Sequence, residues 1–497
     1  MLNIVLQKVS SMHVVKNYLF IPFVLLFNCL MAQNYQAING SGYAGSLSPC
    51  NNPAAIVQVP YTWDITPFAV QVKQATNAFV ISNYSLVSPP SKAKFITQSG
   101  TLKRFEFTNQ NIRLLNTRIN LNSKSAIAFG ANIRSYVYAT TSQANWEDTT
   151  RSLYDFMKIN VSHLPLSGES RGSAWAEIYA TYAHTIIDDG KRILTAGFTL
   201  KINRALAGGY VNARGLSYVP AAGNNAGYQL TEGSLQYGYS SNFDEIDSSK
   251  TGAANRKSFY QHTMSGVSAD AGLEYILLDD NEDENNFAYR TKIGISLMDV
   301  GRNKFRYSSR SNSVTAGKPN IGDSLIERRF LNISSVDDFN DSLAGIANSF
   351  TQLNGAFNVY QPARIIINVD QHLANNFFLN AELTLAVLSL VPKKITYIKD
   401  MNLLAITPRW ETKLLGVYFP VQLNTQKQLW VGGAFKAGPV LFGTHNLANI
   451  FSKNKMQAGG FYLALTIRPG KNNDGQGRQS SERVSGKTKR SLQCPKF

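Results

Sequence analysis

From Thr412 to Arg468 the chain alternates with a period of two, in three successive runs. In the first, Leu415, Val417, Phe419, Val421 and Leu423 share one face, opposed to Leu414, Gly416, Tyr418, Gln422 and Asn424. In the second, Leu429, Val431, Phe435, Ala437 and Leu441 alternate with Trp430, Gly432, Ala434, Lys436 and Gly438. In the third, Gly459, Phe461, Leu463, Leu465 and Ile467 alternate with Tyr462, Ala464, Thr466 and Arg468. Strand side chains point alternately to opposite sides, so each run has one greasy face and one mixed face. A soluble sandwich also alternates. These runs reach about ten residues, the length that crosses a bilayer at a tilt. Their second face carries Gly, Ala, Thr, Tyr and an occasional Lys or Arg, which suits a hydrated lumen. The pattern predicts an all-β transmembrane barrel.

Composition agrees. Mean hydropathy is −0.17, and beyond the amino terminus no stretch approaches the roughly 18 apolar residues of a spanning helix. The chain holds 23 Tyr, 27 Phe and 36 Gly, residues that suit interfacial girdles, turns and crowded strand faces. Residues 1–32 read as a secretory leader: Lys16 is the positive region, Tyr18–Leu30 the apolar core, and Met31-Ala32 the small-residue end. Met12 is an alternative start. Cys29 lacks the small neighbour a lipidated cysteine wants. Export leaves Cys50 and Cys494, with no metal-like spacing. An oxidising compartment permits a bridge between them; two unpaired thiols are the expectation.

Upstream of the three runs, strands are expected near 61–73, 76–84, 101–109, 111–121, 125–139, 173–187, 191–204, 231–240, 263–278, 286–299, 359–370 and 376–390. With the last three the count is about fifteen, and bacterial barrels favour an even number, 14 or 16. In 191–203, Leu194, Ala196, Phe198, Leu200 and Ile202 oppose Thr195, Gly197, Thr199, Lys201 and Asn203. Asn122-Ser123-Lys124 and Asp188-Asp189-Gly190 read as tight turns. The inserts 140–172, 205–230, 241–262 and 300–358 read as external loops or lumenal plugs. Two short helices are expected in them, from Ser152 to Ser162 and from Ser335 to about Ala347, where Ser335 caps and Asp337 and Asp338 favour the positive end. Both read as loop helices. Residues 471–497 are polar, with seven Lys/Arg against two Asp/Glu. They cannot build a core and read as a disordered basic tail on the periplasmic side. The domain plan is leader 1–32, barrel 33–470 and tail 471–497.

Between leader and first strand, Asn39–Ile56 reads NGSGYAGSLSPCNNPAAI. Its small residues permit a loop, or a segment tucked into the barrel mouth. This Gly-rich start ending in Asn52-Pro53-Ala54 resembles the amino-terminal region of FadL-like long-chain fatty acid transporters. The run Gly438-Pro439-Val440-Leu441-Phe442-Gly443-Thr444-His445-Asn446-Leu447, with the strand after it, is similar to a narrower group. That group is an uncharacterised Bacteroidota-type family of outer-membrane barrels, a domain of unknown function. The resemblance runs to about Pro469. It implies an outer-membrane barrel of a Gram-negative bacterium and no established substrate or catalytic residue; no cofactor is expected.

Net charge is +17 and the isoelectric point about 9.6. The basic residues are scattered, with no helix-turn-helix, RNP-like motif or zinc framework, so anionic lipid and lipopolysaccharide are the expected partners, not nucleic acid. Arg118, Arg134, Glu177, Lys201, Asp270, Glu274, Arg290, Lys292, Glu382 and Lys436 fall on the polar strand face. Facing lipid near the midplane, a Lys or Arg costs about 2–4 kcal/mol; they are therefore candidate lumen-lining residues. They form either an ion-paired filling or a polar track. The six His are dispersed, with no HExxH motif, metal cluster or phosphate loop, so the chain reads as a non-enzyme. The leading expectation is a channel or binding protein for small hydrophobic or amphipathic molecules. The alternative is a non-transporting barrel that anchors loops and a tail for a surface or periplasmic protein partner. A continuous pocket opening through the wall would favour the first, and a sealed, ion-paired lumen the second. A barrel hydrolase would need a His beside a nucleophile at the external rim.

Overall fold

The computed structural model describes residues 36–469, apart from 86, 90, 92, 222–226, 279–288, 319–320, 388–395, 452 and 454–455. The expected leader, basic tail and Cys494 lie outside these residues.

Fourteen antiparallel wall strands close into one barrel. The wall opens with β1 (Trp63–Thr76), and a separate hairpin follows it, β2 (Phe79–Ser82) and β3 (Lys94–Thr97). Four long strands come next: β4 (Gly100–Asn120), β5 (Ser125–Trp146), β6 (Leu166–Asp188) and β7 (Arg192–Pro220). β8 (Tyr228–Tyr239) pairs with the far end of β7 and with β11. The wall resumes with β9 (Met264–Leu278) and β10 (Tyr289–Arg306). β11 (Asn312–Gly317), β12 (Ala347–Gln352) and β13 (Ala356–Tyr360) extend the sheet beyond it. Then come β14 (Arg364–Ala374), β15 (Phe377–Ala386) and β16 (Leu403–Glu411). Two interrupted strands follow, β17 (Leu415–Tyr418) with β18 (Val421–Asn424), and β19 (Leu429–Val431) with β20 (Gly433–Ala437). β21 (Val440–Thr444) and the last strand, β22 (Ala458–Gly459) with β23 (Phe461–Ile467), complete the wall. Closure is direct: Ile65 and Ala69 of β1 stand opposite Ile467 and Ala464 of β23. A spanning sheet must close this way, because each unpaired backbone group in hydrocarbon costs several kcal/mol.

Alternation decides what faces where. Phe129, Ile178, Phe198, Ile202, Val267, Leu404 and Phe435 are exposed on the outer wall, an apolar surface that water does not tolerate at this extent and hydrocarbon does. No helix among the described residues is long and apolar enough to cross a membrane. Both chain ends of the wall, Trp63 and Ile467, lie at the end where strands are joined by tight turns. The opposite end carries the long loops. There the helices Leu153–Asn160, capped by Ser152, and Val336–Ile346, capped by Ser335 as expected, pack with Tyr218, Tyr237, Val314 and Ile326 in an apolar cluster over the rim. They are loop helices and not lumenal plugs.

Five expectations change. The stretches 101–109 and 111–121 are one strand, β4. The stretches 76–84 and 231–240 contain strands outside the fourteen-stranded wall. Alternation misses β16 because Pro408 breaks its pattern; Pro408 faces the gap at Phe419-Pro420 between β17 and β18, where the missing donor costs nothing to the ladder. The second carboxy-terminal run is two strands, because Gly438 takes φ +55° and turns the chain at Pro439. Leu441 is therefore inside, and Val440 and Phe442 outside. The long strands also run far into the inserts expected as loops. Their far halves stand beyond the length a bilayer needs, so they lose the outward apolar residues by which a strand is recognised.

Candidate functional site

The barrel interior is layered, and its lowest layer is the amino-terminal segment itself. Three short 3₁₀ helices, Gln36–Ile38, Gly45–Cys50 and Pro53–Ile56, lie inside the tight-turn half as a plug. Small residues let the backbones touch: a Cβ on Gly197 would collide with the backbone of Pro53, and one on Gly272 with the Asn52 side chain. Asn52 accepts from the Ala54 N–H at 3.0 Å, capping its turn, and donates to the Leu273 carbonyl at 2.9 Å. The wall grips the plug by its carbonyls and hydroxyls. Arg118 donates to the carbonyls of Ile56 and Tyr61 at 2.6 and 2.9 Å, Arg113 to that of Leu47 at 3.1 Å, and Lys292 to that of Gly40 at 3.2 Å. Ser41 donates to Glu411 at 2.7 Å and Asn39 to Glu382. The tucked-in reading of this segment is the observed one.

Above the plug lies a lattice of buried charges centred on Asp299. Its carboxylate accepts from Arg134 and Lys201 at 2.7 Å each and sits 2.8 Å from Arg364. Asp270 accepts from Lys201 at 2.8 Å and from the Asp299 N–H at 2.7 Å. Glu177 lies 3.6 Å from Arg134 and accepts from Asn132 and Trp175. Asp299 holds φ +59° at a bulge in β10, a conformation that costs a non-glycine residue free energy and persists only when its surroundings enforce it. A second lattice joins Arg409 to Asp370 at 2.8 Å and to Glu411 at 3.2 Å, and Lys436 to Glu411 at 3.0 Å.

Towards the loop end the interior turns aromatic. Phe105, Phe107, Tyr136, Tyr138, Trp175, Tyr210, Phe305, Phe357 and Trp430 form one buried cluster. Tyr136 stacks on Trp175 at 5.5 Å and Phe305 on Phe357 at 5.4 Å. Two cavities beside the plug measure about 10 and 20 Å³, room for a water or two and far below the roughly 300 Å³ of an ordinary ligand pocket.

Nine of the ten candidate lumen residues are buried: Arg118, Arg134, Glu177, Lys201, Asp270, Glu274, Lys292, Glu382 and Lys436. Arg134, Glu177, Lys201 and Asp270 meet in the Asp299 lattice; Arg118, Lys292 and Glu382 hold the plug. Arg290 is exposed. A bulge between Tyr289 and Thr291 shifts the parity of β10, so Tyr289 turns in and Arg290 out. Sequence reasoning misses Asp64, Asp299, Arg364, Asp370, Arg409 and Glu411. Arg409 and Glu411 go with β16; a parity count through Pro408 finds them. Asp299 is hidden by its bulge.

At the loop end, His262 meets the Ser258 carbonyl, while the Ser258 hydroxyl donates to the Glu245 carboxylate, so the imidazole does not face that hydroxyl. His184 does lie 2.8 Å from the Ser125 hydroxyl, but at the tight-turn end. No group of three metal-ligating side chains stands together among the described residues.

No curated protein matches the chain. Among solved structures it is similar to the Ralstonia pickettii toluene transporter TbuX, at 10% identity, TM-score 0.42, over 89% of this chain and 99% of that one. A Pseudomonas aeruginosa FadL homologue aligns at 10% identity and TM-score 0.40, over 88% and 97%. The P. putida toluene transporter TodX aligns at 10% identity and TM-score 0.37, over 85% and 93%. The model of a family of unknown function, DUF5723, matches residues 53–445, from the plug's Pro53 to His445 beyond β21, and the chain belongs to that family.

Proposed function

We propose that this is an outer-membrane barrel of a Gram-negative envelope that admits small hydrophobic or amphipathic molecules through a lumen held shut by its own amino-terminal plug. The supporting observation is the aromatic layer. A pore for hydrophilic solutes gains nothing from nine buried apolar and aromatic side chains inside its wall, whereas a greasy cargo can replace ring–ring contacts with ring–cargo contacts at little cost. The plug then acts as the stopper, since its grip is a set of single hydrogen bonds that exchange for water one at a time. A leader over 1–32 that is removed on export, and a basic tail over 471–497 facing the periplasm and its anionic polymers, belong to the same reading.

The charge lattices and the smallness of the two cavities favour a second reading, a non-conducting barrel that anchors its loops and tail for a protein partner. Uptake into proteoliposomes separates the two. The full chain and a variant lacking 36–56 are compared for decanoate, toluene and sucrose. On the channel reading decanoate or toluene enters faster than through empty liposomes, sucrose does not, and removing the plug raises the rate. Equal impermeability to all three in both proteins leaves the anchor.

A further inference from the structure

Between the plug and the aromatic layer, the inner wall carries a patch of polar side chains with unmet hydrogen-bonding atoms. Gln71 and Lys73 of β1 stand directly opposite Asn111 and Asn109 of β4. Trp430 lies beside them, its ring centroid 5.1 Å from the Lys73 ammonium. His445 lies 3.3 Å from Gln71. All six are more than nine-tenths buried. Yet Lys73 Nζ, both side-chain polar atoms of Asn109, Asn111 Oδ1, Gln71 Oε1, Trp430 Nε1 and His445 Nδ1 have no hydrogen-bond partner among the described residues. Five other lumen cations, Arg134, Lys201, Arg364, Arg409 and Lys436, each meet a carboxylate. Lys73 meets a ring instead. Buried polar groups are nearly always bonded, and leaving one unmet costs about 1–3 kcal/mol. A wall with several unmet atoms on adjacent side chains is built for something polar that sits against it.

We propose that this patch is a binding site for a small aromatic acid bearing a second hydrogen-bonding group, of the 4-hydroxybenzoate type. Lys73 Nζ, Asn109 Nδ2 and Trp430 Nε1 offer three donors at one end, the set a carboxylate takes. Asn111 Oδ1 and Gln71 Oε1 offer acceptors at the other, the set a hydroxyl takes. Two residues along a strand separate the ends by about 7 Å, a span that one para-substituted ring covers. Trp430 supplies a face for that ring and excludes a purely hydrophilic occupant. Binding at the patch holds whether or not the barrel conducts.

Calorimetric titration of the purified full chain in detergent tests it, with 4-hydroxybenzoate, 4-hydroxybenzamide and 4-methylphenol as probes. The expected order is acid first, with the neutral amide and the phenol weaker by about tenfold or more, the worth of a charge-assisted hydrogen bond. Lys73→Met should abolish the preference for the acid without changing the binding of 4-methylphenol. Asn111→Leu should weaken 4-hydroxybenzoate while leaving benzoate unchanged. If Lys73→Met does not insert, the acid-against-amide comparison on the unaltered chain decides the same question. No heat with any probe, or equal affinity for acid and amide, overturns the proposal.

Discussion

Asp299 shows how one side chain can hold a lumen together. Three cations from β5, β7 and β14 converge on its carboxylate, and its own left-handed backbone is what aims it at them. Buried pairs add little over a well-packed apolar core, but removing one partner strands the others, at about 3–5 kcal/mol. Asp299→Ala should therefore lower barrel stability by about that amount, read as an earlier midpoint in guanidinium unfolding or in heat-modifiable migration. Little or no shift would mean that water already screens the lattice. The same residue marks a limit of reading sequence. Alternation assigns faces only while the register is unbroken, and bulges at Tyr289/Thr291 and Leu297/Val300 reset it. Parity thereby sends Arg290 to a face where it is exposed and overlooks Asp299, whereas Arg134, Glu177 and Lys201, on unbroken stretches of β5 to β7, are buried.

At the scale of elements, the plug depends on two wall glycines more than on any single hydrogen bond. The contact at Gly197 is with main chain, which cannot rotate away as a side chain would. Gly197→Val should therefore eject the plug, at an overpacking cost of about 1–3 kcal/mol, while the strand itself tolerates valine well. The expected result is faster protease cleavage between 36 and 56 with heat-modifiable migration retained. A variant whose plug stays protected would show that the wall bends instead. The plug's small residues are legible as close-packing material, but not its partners, because Glu382 and Glu411 lie more than 340 residues away in sequence. The wall strands are mostly legible for the opposite reason, that neighbours in the sheet are neighbours in the chain. β16 and β21 escape because proline and glycine sit inside their patterns, where they ordinarily end strands.

For the whole molecule, closure fixes which parts are dispensable. β23 is the seam with β1, and the ladder stops before Pro469, which lacks the donor to continue it. Deletion of 471–497 should leave an inserted, heat-modifiable barrel. Deletion of 457–497 should abolish insertion, because it opens β1 and β21 together to hydrocarbon. Expressing both truncations and scoring migration with and without boiling distinguishes them; loss of insertion in the shorter deletion would place the true seam beyond residue 470.

That seam joins Ile65 to Ile467, across a loop of about 400 residues, and bringing such distant ends together costs roughly 5 kcal/mol of chain entropy before any pairing is gained. The plug changes this sum. It is joined to β1, and it also binds Glu382 of β15 and Glu411 of β16. Once those contacts form, themselves closing a loop of 370 residues, the beginning of the chain is already tethered beside late strands, and about 80 residues, from Ser41 to Ile65 and from Glu411 to Ile467, remain to be looped, at roughly 4 kcal/mol. The segment that stops the finished lumen is thus also a splint that brings the two edges of the unfinished sheet within reach of each other.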